Sequence, residues 1–464
     1  MKQNWLNNAL AIAAIFSFRM LGLFMLIPVF TVYATHLQHA TPVLIGVALG
    51  SYGLSQGLLQ MPFGLLSDRF GRKFILTIGL ILFALGSLWG AVTHSMYGMI
   101  FARIVQGTGA IGSVLIALLA DLTPDQHRTK AMAVIGVTIG VSFSLAMVLS
   151  PALTHYFGLA GIFYLTAVLA VVGLLLLHWV IPTPVKEPFH SDTEVKPSLL
   201  REVLGNPHLL RLNAGIFCQH LILTSTFFVI PMLLQQQIQL GHLTAQWHFY
   251  LPLMVGAFLA MVPFITLAEK KGIIKQIFLG SVLIGGLCQL LLAMQAQSWL
   301  SLSLLMFMYF AAFNILEASL PSLISKQANI HSKGTAMGVY SSCQFLGIFV
   351  GGVLAGFVYA SFGAVGIFLM NGLISFGWFG FSLAMQPNYY VHTLTIAHKV
   401  THVEPALLQA LNALPGVKQV SFSAPEGLIY LRVHKMHYHP HSAEQLIERD
   451  SSHGHNPHSS DIQP

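Results

Sequence analysis

Charge is what this sequence has least of. Asp, Glu, Lys and Arg make up 8% of its 464 residues, against 55% apolar residues and a mean hydropathy of +0.72. That balance excludes a soluble protein of two or three domains. Cysteine is almost missing too: Cys218, Cys288 and Cys343 all fall inside apolar runs, which excludes a disulfide framework and leaves core packing as their role. No Gly-Lys-Ser/Thr phosphate loop occurs, so ATP-driven transport is not expected. No nucleophile and base pair stands out either, so the chain is not expected to be an enzyme or to hold a cofactor.

What is present is long apolar runs. Between Asn8 and Met385 there are twelve, separated by short polar breaks, each near the ~20 residues a helix needs to cross a bilayer. Runs such as IGLILFALGSLWGAV are continuously apolar, unlike the ten-residue alternating segments of a membrane barrel. The first run follows only Lys2 and continues without a small-residue cleavage site, so it reads as span 1 and not as a cleaved signal. The pI near 9.3 does not point to nucleic acid, because the basic residues sit in every second loop. Arg69, Arg72 and Lys73 follow span 2, Arg128 and Lys130 follow span 4, and Lys186, Lys196, Arg201 and Arg211 lie between spans 6 and 7. Lys270, Lys271 and Lys275 follow span 8, and Lys326 and Lys333 follow span 10. The intervening loops have no Lys or Arg. Basic loops mark the cytoplasmic side, so both termini are expected to be cytoplasmic and the span number even.

The chain repeats itself. Ala131 and Met132 of RTKAMAVIG match Ala336 and Met337 of KGTAMGVYS 205 positions on, and Asp68 and Gly71 match Glu269 and Gly272 201 positions on. A six-span unit duplicated in one orientation fits these offsets. The expected division is an N-terminal half at 1–181, a polar linker at 182–208 in which SLLREVL reads as a short membrane-surface helix, and a C-terminal half at 209–387. After Pro387 the periodicity changes. TLTIAHKV, VKQVSFS and LIYLRV read as strands, and EPALLQALNAL and SAEQLIER as helices. That βαββα order predicts a small α+β ferredoxin-like domain at 388–450, followed by a disordered His-rich tail at 451–464. His434, His437, His439, His441, His453, His455 and His458 lack the Cys or ordered spacing of a metal site, and none is expected to hold a specific metal.

The densest charge lies in Gly64–Lys73, GLLSDRFGRK, which joins two apolar runs. Its pattern, Gly-x-x-x-Asp-Arg-x-Gly-Arg-Lys, resembles the loop signature of the major facilitator superfamily. Together with FSFRMLGLFMLIPVF, ARIVQGTGAIG, FNILEASLPSLISK, KGTAMGVYSSCQFLG and the soluble tail, it resembles a transporter type within the drug/proton antiporter branch that carries a C-terminal ferredoxin-like YAM domain. The resemblance implies an all-α membrane fold of twelve spans in two six-helix halves and a bacterial inner-membrane location. It also implies a monomeric secondary transporter that takes small molecules as substrate and a proton gradient as its energy. It places Asp68 against the start of span 11 near Gly334 and Thr335, with Arg72 paired to Asp121, so that Gly64, Asp68, Arg69, Gly71, Arg72, Lys73 and Asp121 form a conformational latch. In span 5, Gly136, Gly140 and Pro151 match the antiporter motif, but Ser150 stands where that motif has glycine and its final glycine pair is missing. Import is therefore the alternative to export, and a receptor signalling through the tail domain is a third reading.

An ionisable group inside a span costs roughly 2.5–3.5 kcal/mol on insertion scales, so it normally faces a cavity or a partner. Arg19 in span 1, Arg103 in span 4 and Glu317 in span 10 are such groups. Asn314 and Pro321 share the Glu317 face at i−3 and i+4, and Arg103 with Gln106 resembles the family's Arg-x-x-Gln-Gly proton-coupling motif. A carboxyl deprived of water takes up a proton more readily, which makes Glu317 the candidate coupling acid; interhelical structural contact is the competing role. Gly347 and Gly351 in span 11, like Gly136 and Gly140 in span 5, have the Gly-x-x-x-Gly spacing that lets helices approach closely.

Overall fold

A computed structural model of the chain describes residues 5–123, 125–183, 199–329, 332–385, 391–397, 405–423, 428–434 and 438–453. These fall into two compact units, one drawn from residues up to 385 and one from 386 onwards. Most of the expected linker, the APEG turn, His437 and the tail from 454 lie outside the described residues. Leu200–Gly205 forms the short helix expected from SLLREVL.

The membrane unit has ten helices long and apolar enough to cross a bilayer among the described residues. Spans 1 to 4 are Trp5–Phe24, Pro42–Phe70, Arg72–Val92 and Met96–Asp121, and spans 7 to 10 are Pro207–Gln239, Gln246–Ala268, Ile274–Gln295 and Trp299–Gln327. The other two helices, Lys130–Trp179 and Lys333–Leu383, contain 50 and 51 residues. At 1.5 Å per residue each would measure about 75 Å, more than twice the ~30 Å of hydrocarbon in a bilayer. Each leaves helical geometry at one glycine, Gly158 (φ 62°) in the first and Gly363 (φ 63°) in the second. Only glycine takes that backbone conformation without strain. Each long helix is therefore a pair, spans 5 and 6 and spans 11 and 12, and the twelve expected spans are present.

The duplication is visible in the geometry as well as in the letters. Gly158 and Gly363 are 205 positions apart. Lys73 Nζ at the start of span 3 bonds the Ile181 carbonyl just past the end of span 6, and Lys275 Nζ at the start of span 9 bonds the Leu383 carbonyl at the end of span 12, at 2.9 Å. Both lysines sit where the unpaired carbonyls and negative dipole of a helix end favour a cation. The matching offset, 202 for each member, makes this one contact used twice.

Spans 2 and 11 join the halves, and they touch backbone to backbone. A Cβ built on Gly46 would lie 2.2 Å from the Gly352 carbonyl oxygen, one on Gly50 2.6 Å from that of Phe349, and one on Gly53 2.4 Å from that of Phe345. Only glycine fits such an approach. The contact slackens along span 2: at Gly57 the distance is 3.1 Å to the Ser342 oxygen, and at Gly64 the neighbour is Ser113 of the same half at 3.5 Å. The halves are thus closed at the Pro42 end of the bundle and part towards Asp68.

The second unit follows the expected βαββα order. Strands β1 (Val391–Ala397), β2 (Val417–Ser423) and β3 (Leu428–His434) form an antiparallel sheet in the order β1-β3-β2. Alternate β3 residues Ile429, Leu431 and Val433 point one way, as the two-residue strand period requires, and form a core with Leu407 and Leu411 of Pro405–Asn412 and Ala443 and Ile447 of Ser442–His453. No group of three His, Cys, Asp or Glu side chains suited to a metal occurs among the described residues.

Candidate functional site

The loop between spans 2 and 3 is held by its arginine. Gly71 adopts φ 98° with ψ 141° and has nothing within 4 Å of a Cβ position, so backbone conformation and not crowding calls for glycine. That turn points Arg72 back at span 2, where its Nη1 donates to Ser67 Oγ at 2.7 Å and pairs with Asp68, while its Nε donates to Asp121 Oδ2 at 3.0 Å at the end of span 4. The Arg69 guanidinium lies over the Phe70 ring at 5.5 Å. Asp68 therefore bonds within its own half in this conformation, beside the end of the bundle where the halves part. Gly64 meets Ser113 at ordinary contact distance and is not needed there for close approach.

Inside the N-terminal half, Arg19 and Arg103 are each 1% exposed. Arg103 Nη1 donates to Gln106 Oε1 at 2.8 Å, Gln106 Nε2 donates to Ser87 Oγ at 2.8 Å, and the guanidinium lies 4.8 Å from the Tyr52 ring centroid. Arg19 Nη2 donates to Gln56 Oε1, and Gln56 Nε2 donates to Gln60 Oε1 at 2.6 Å. The expected pair Arg103 and Gln106 is thus brought together, but inside the helical packing and not on an open cavity wall.

Glu317 is placed differently. Its side chain is 33% exposed although it lies well inside span 10, and Asn314 and Pro321 on the same face are also half-buried. Gln219 Nε2 of span 7 donates to Glu317 Oε2 at 3.0 Å and reaches the Phe313 carbonyl at 3.3 Å. The Gln344 amide of span 11 lies 3.5 Å from Glu317 Oε1 and 2.8 Å from His220 Nε2, and His220 Nε2 is itself 3.9 Å from Glu317 Oε2. The carboxylate is therefore held by neutral amide donors from two other spans, with one imidazole beside it. Neither buried arginine is its partner. Sequence reasoning missed Gln219, His220 and Gln344; the available signal was the Gln-His pair at 219–220 within span 7.

The span 5 glycines depart from expectation. Gly136 and Gly140 are exposed, with no heavy atom within 4 Å of a Cβ position, so they pack no helix in this conformation. Gly347 and Gly351 do pack: a Cβ built on each would lie 2.4 and 2.5 Å from the Phe217 and Leu221 carbonyl oxygens of span 7. Ser150, which precedes Pro151, donates its hydroxyl to the Met25 carbonyl. That carbonyl lies where span 1 leaves its helix just before Pro28, and proline supplies no N–H to continue the ladder.

The sequence signature of the Major Facilitator Superfamily matches residues 12–352 and also 212–406. The chain belongs to that superfamily. Among relatives, it is 41% identical over 441 residues to the inner membrane transport protein YajR of Escherichia coli, covering 94% of this chain and 96% of that one. It is 25% identical over 350 residues to the quinolone resistance protein NorA of Staphylococcus aureus, covering 72% and 86%. The crystal structure of the nucleoside transporter NupG superposes with a TM-score of 0.65 at 16% identity, over 82% of this chain and 99% of that one, which shows a shared fold. The protein is thus a secondary transporter of the Major Facilitator Superfamily, with a small α+β domain appended after its twelfth span.

Proposed function

We propose that the protein is a proton-driven exporter of small apolar or amphipathic compounds in a bacterial inner membrane, with both termini cytoplasmic. The observation that carries the reading is the carboxylate of Glu317, partly open although it lies mid-span, and held by neutral amides that tolerate it charged or protonated. Gln219 donates to Oε2 and Gln344 to Oε1; protonation turns one of these oxygens from acceptor into donor, and so changes the contacts of spans 7, 10 and 11 with one another. Alternating access then follows from rocking one half on the other about a central site. The likeness to a quinolone resistance protein supports export; Ser150, tied to Met25 where exporters have glycine, is the observation that favours import as the second reading.

In this proposal the loop at Gly64–Lys73 is the latch of the opposite state. When the Asp68 end closes, Asp68 leaves Arg72 and caps the start of span 11, and Arg72 keeps Asp121.

The test is Glu317→Gln in everted vesicles, with norfloxacin and ethidium as probes. The variant is expected to lose accumulation driven by a pH gradient while retaining counter-flow exchange of the same probe. Undiminished gradient-driven accumulation in the variant would remove Glu317 from the coupling step. Movement in the opposite direction in wild-type vesicles of known polarity would replace export by import.

A further inference from the structure

Span 4 is not one helix. It runs Met96–Thr108, leaves helical geometry over residues 109–111, and restarts as Gly112–Asp121, so a helix N-terminus lies within a membrane span and not in water. The N–H groups of Ala110 and Ile111 turn back on the Thr108 and Gly109 carbonyls, and that of Leu115 reaches the Ile111 carbonyl. Among the described residues no backbone carbonyl receives the N–H of Ser113 or Val114. Such a start carries a partial positive charge and free donors.

A second, independent feature meets it there. Arg19 of span 1 is fully buried, and its Nε and Nη1 have no hydrogen-bond partner. No carboxylate among the described residues pairs with it. The atoms nearest a Cβ position at Gly112 are Arg19 Nη1 at 3.2 Å, Gln60 Nε2 at 3.5 Å and Gln60 Oε1 at 3.7 Å. Ser113 is anchored beside them, its hydroxyl donating to the Gln60 carbonyl at 2.9 Å. A guanidinium with no counter-charge in a low-dielectric interior costs several kcal/mol. Its fork of donors matches a carboxylate in bidentate fashion.

We propose that Arg19, Gln60 and the helix start at Gly112 form an occluded site for a monoanion, the carboxylate head of an amphipathic substrate. The missing Cβ at Gly112 keeps a side chain from blocking the approach of that head to Arg19. The anion reaches the site when the halves move, since Arg19 is closed off from solvent in this conformation. The site lies in the N-terminal half and stands whether or not Glu317 carries the proton.

The test is the unfolding temperature of the purified full-length protein in detergent, titrated with sodium benzoate, with sodium chloride at matched ionic strength, and with neutral benzyl alcohol. Benzoate is expected to stabilise the wild type beyond the other two. Arg19→Gln should weaken that effect about tenfold or more, the loss expected for a charge-assisted hydrogen bond, and Arg19→Lys should restore part of it. Gly112→Ala keeps the charge but places a methyl group among the donors, and should weaken benzoate binding without changing the unfolding temperature of the free protein by more than a few degrees. Should Arg19→Gln fail to fold, Gly112→Ala decides alone. Equal stabilisation by chloride and benzoate would overturn the carboxylate assignment. Absence of any benzoate effect in the wild type, or an undiminished one in Gly112→Ala, would overturn the site.

Discussion

Replacing Gly46 by alanine tests whether the span 2–span 11 contact belongs to one state of the transport cycle. The new Cβ would lie 2.2 Å from the Gly352 carbonyl oxygen and 2.9 Å from the Gly356 nitrogen, where real Cβ contacts stay above 3.0 Å. Both opposing atoms are backbone, so neither can rotate away and the helices must separate by about an ångström. Overpacking of this kind costs typically ~1–3 kcal/mol. If the contact exists only when the Pro42 end is closed, that cost falls on this state alone, and its population relative to the opposite state drops by about 5- to 150-fold. Spin labels at Thr41 and Ser361, in a background with Cys218, Cys288 and Cys343 replaced, should then report a longer distance across the Pro42 end. Gly136→Ala is the control, because nothing lies within 4 Å of its Cβ position and this conformation should be indifferent to it. A distance distribution unchanged by Gly46→Ala, with wild-type turnover, would refute the idea that the glycine contact is released during the cycle.

Asp68→Asn should act in the opposite sense, favouring the form in which the Asp68 end is parted. A carboxylate at a helix start contributes about 0.3–2 kcal/mol, so turnover should fall about 2- to 30-fold while probe binding persists; unchanged turnover and unchanged spin-label distances at that end would remove the latch. A chain ending at Met385 should transport norfloxacin or ethidium at close to the full-length rate, measured in the same vesicles. Loss of flux in that truncation, with the protein still folded and inserted, would make the soluble domain part of the transport machinery. Cleavage of that domain by protease added to right-side-out vesicles would reverse the proposed orientation.

Most of the fold was legible because a membrane restricts the options. Long apolar runs can only be helices there, and the breaks between them carry the charges. Two spans run on as one helix at Gly158 and again at Gly363, where the loops HYFGLAG and SFGA are so short that helix continues on both sides of a single left-handed glycine. The soluble domain was legible for a different reason: its strands have a two-residue period and its helices a 3.6-residue period, and Ile429, Leu431 and Val433 sit where that period puts them. Close packing was only half legible. The spacing Gly-x-x-x-Gly occurs in span 5 and span 11 alike, yet only the span 11 glycines meet a neighbouring backbone, because spacing says that a helix can be approached and not that another helix is there.

The site was less legible, and the reason lies in which partners a charge takes. Glu317 could be singled out because a carboxylate within a span is rare, but what holds it are Gln219, Gln344 and His220, ordinary residues whose positions become significant only when three spans meet. Arg19 and Arg103 are chemically alike and both buried, yet their surroundings separate them. Arg103 has Gln106 and the Tyr52 ring, and of its buried nitrogens Nε alone has no hydrogen-bond partner. Arg19 has Gln56 and Tyr52 beside it, but two of its nitrogens, Nε and Nη1, are bare, and Nη1 faces the helix break at Gly112. In a transporter the two conditions have different consequences. A satisfied cation stabilises every conformation that preserves its partners, whereas an unsatisfied one favours whichever conformation supplies an anion, and that difference in affinity between states is what lets a ligand shift the equilibrium between them.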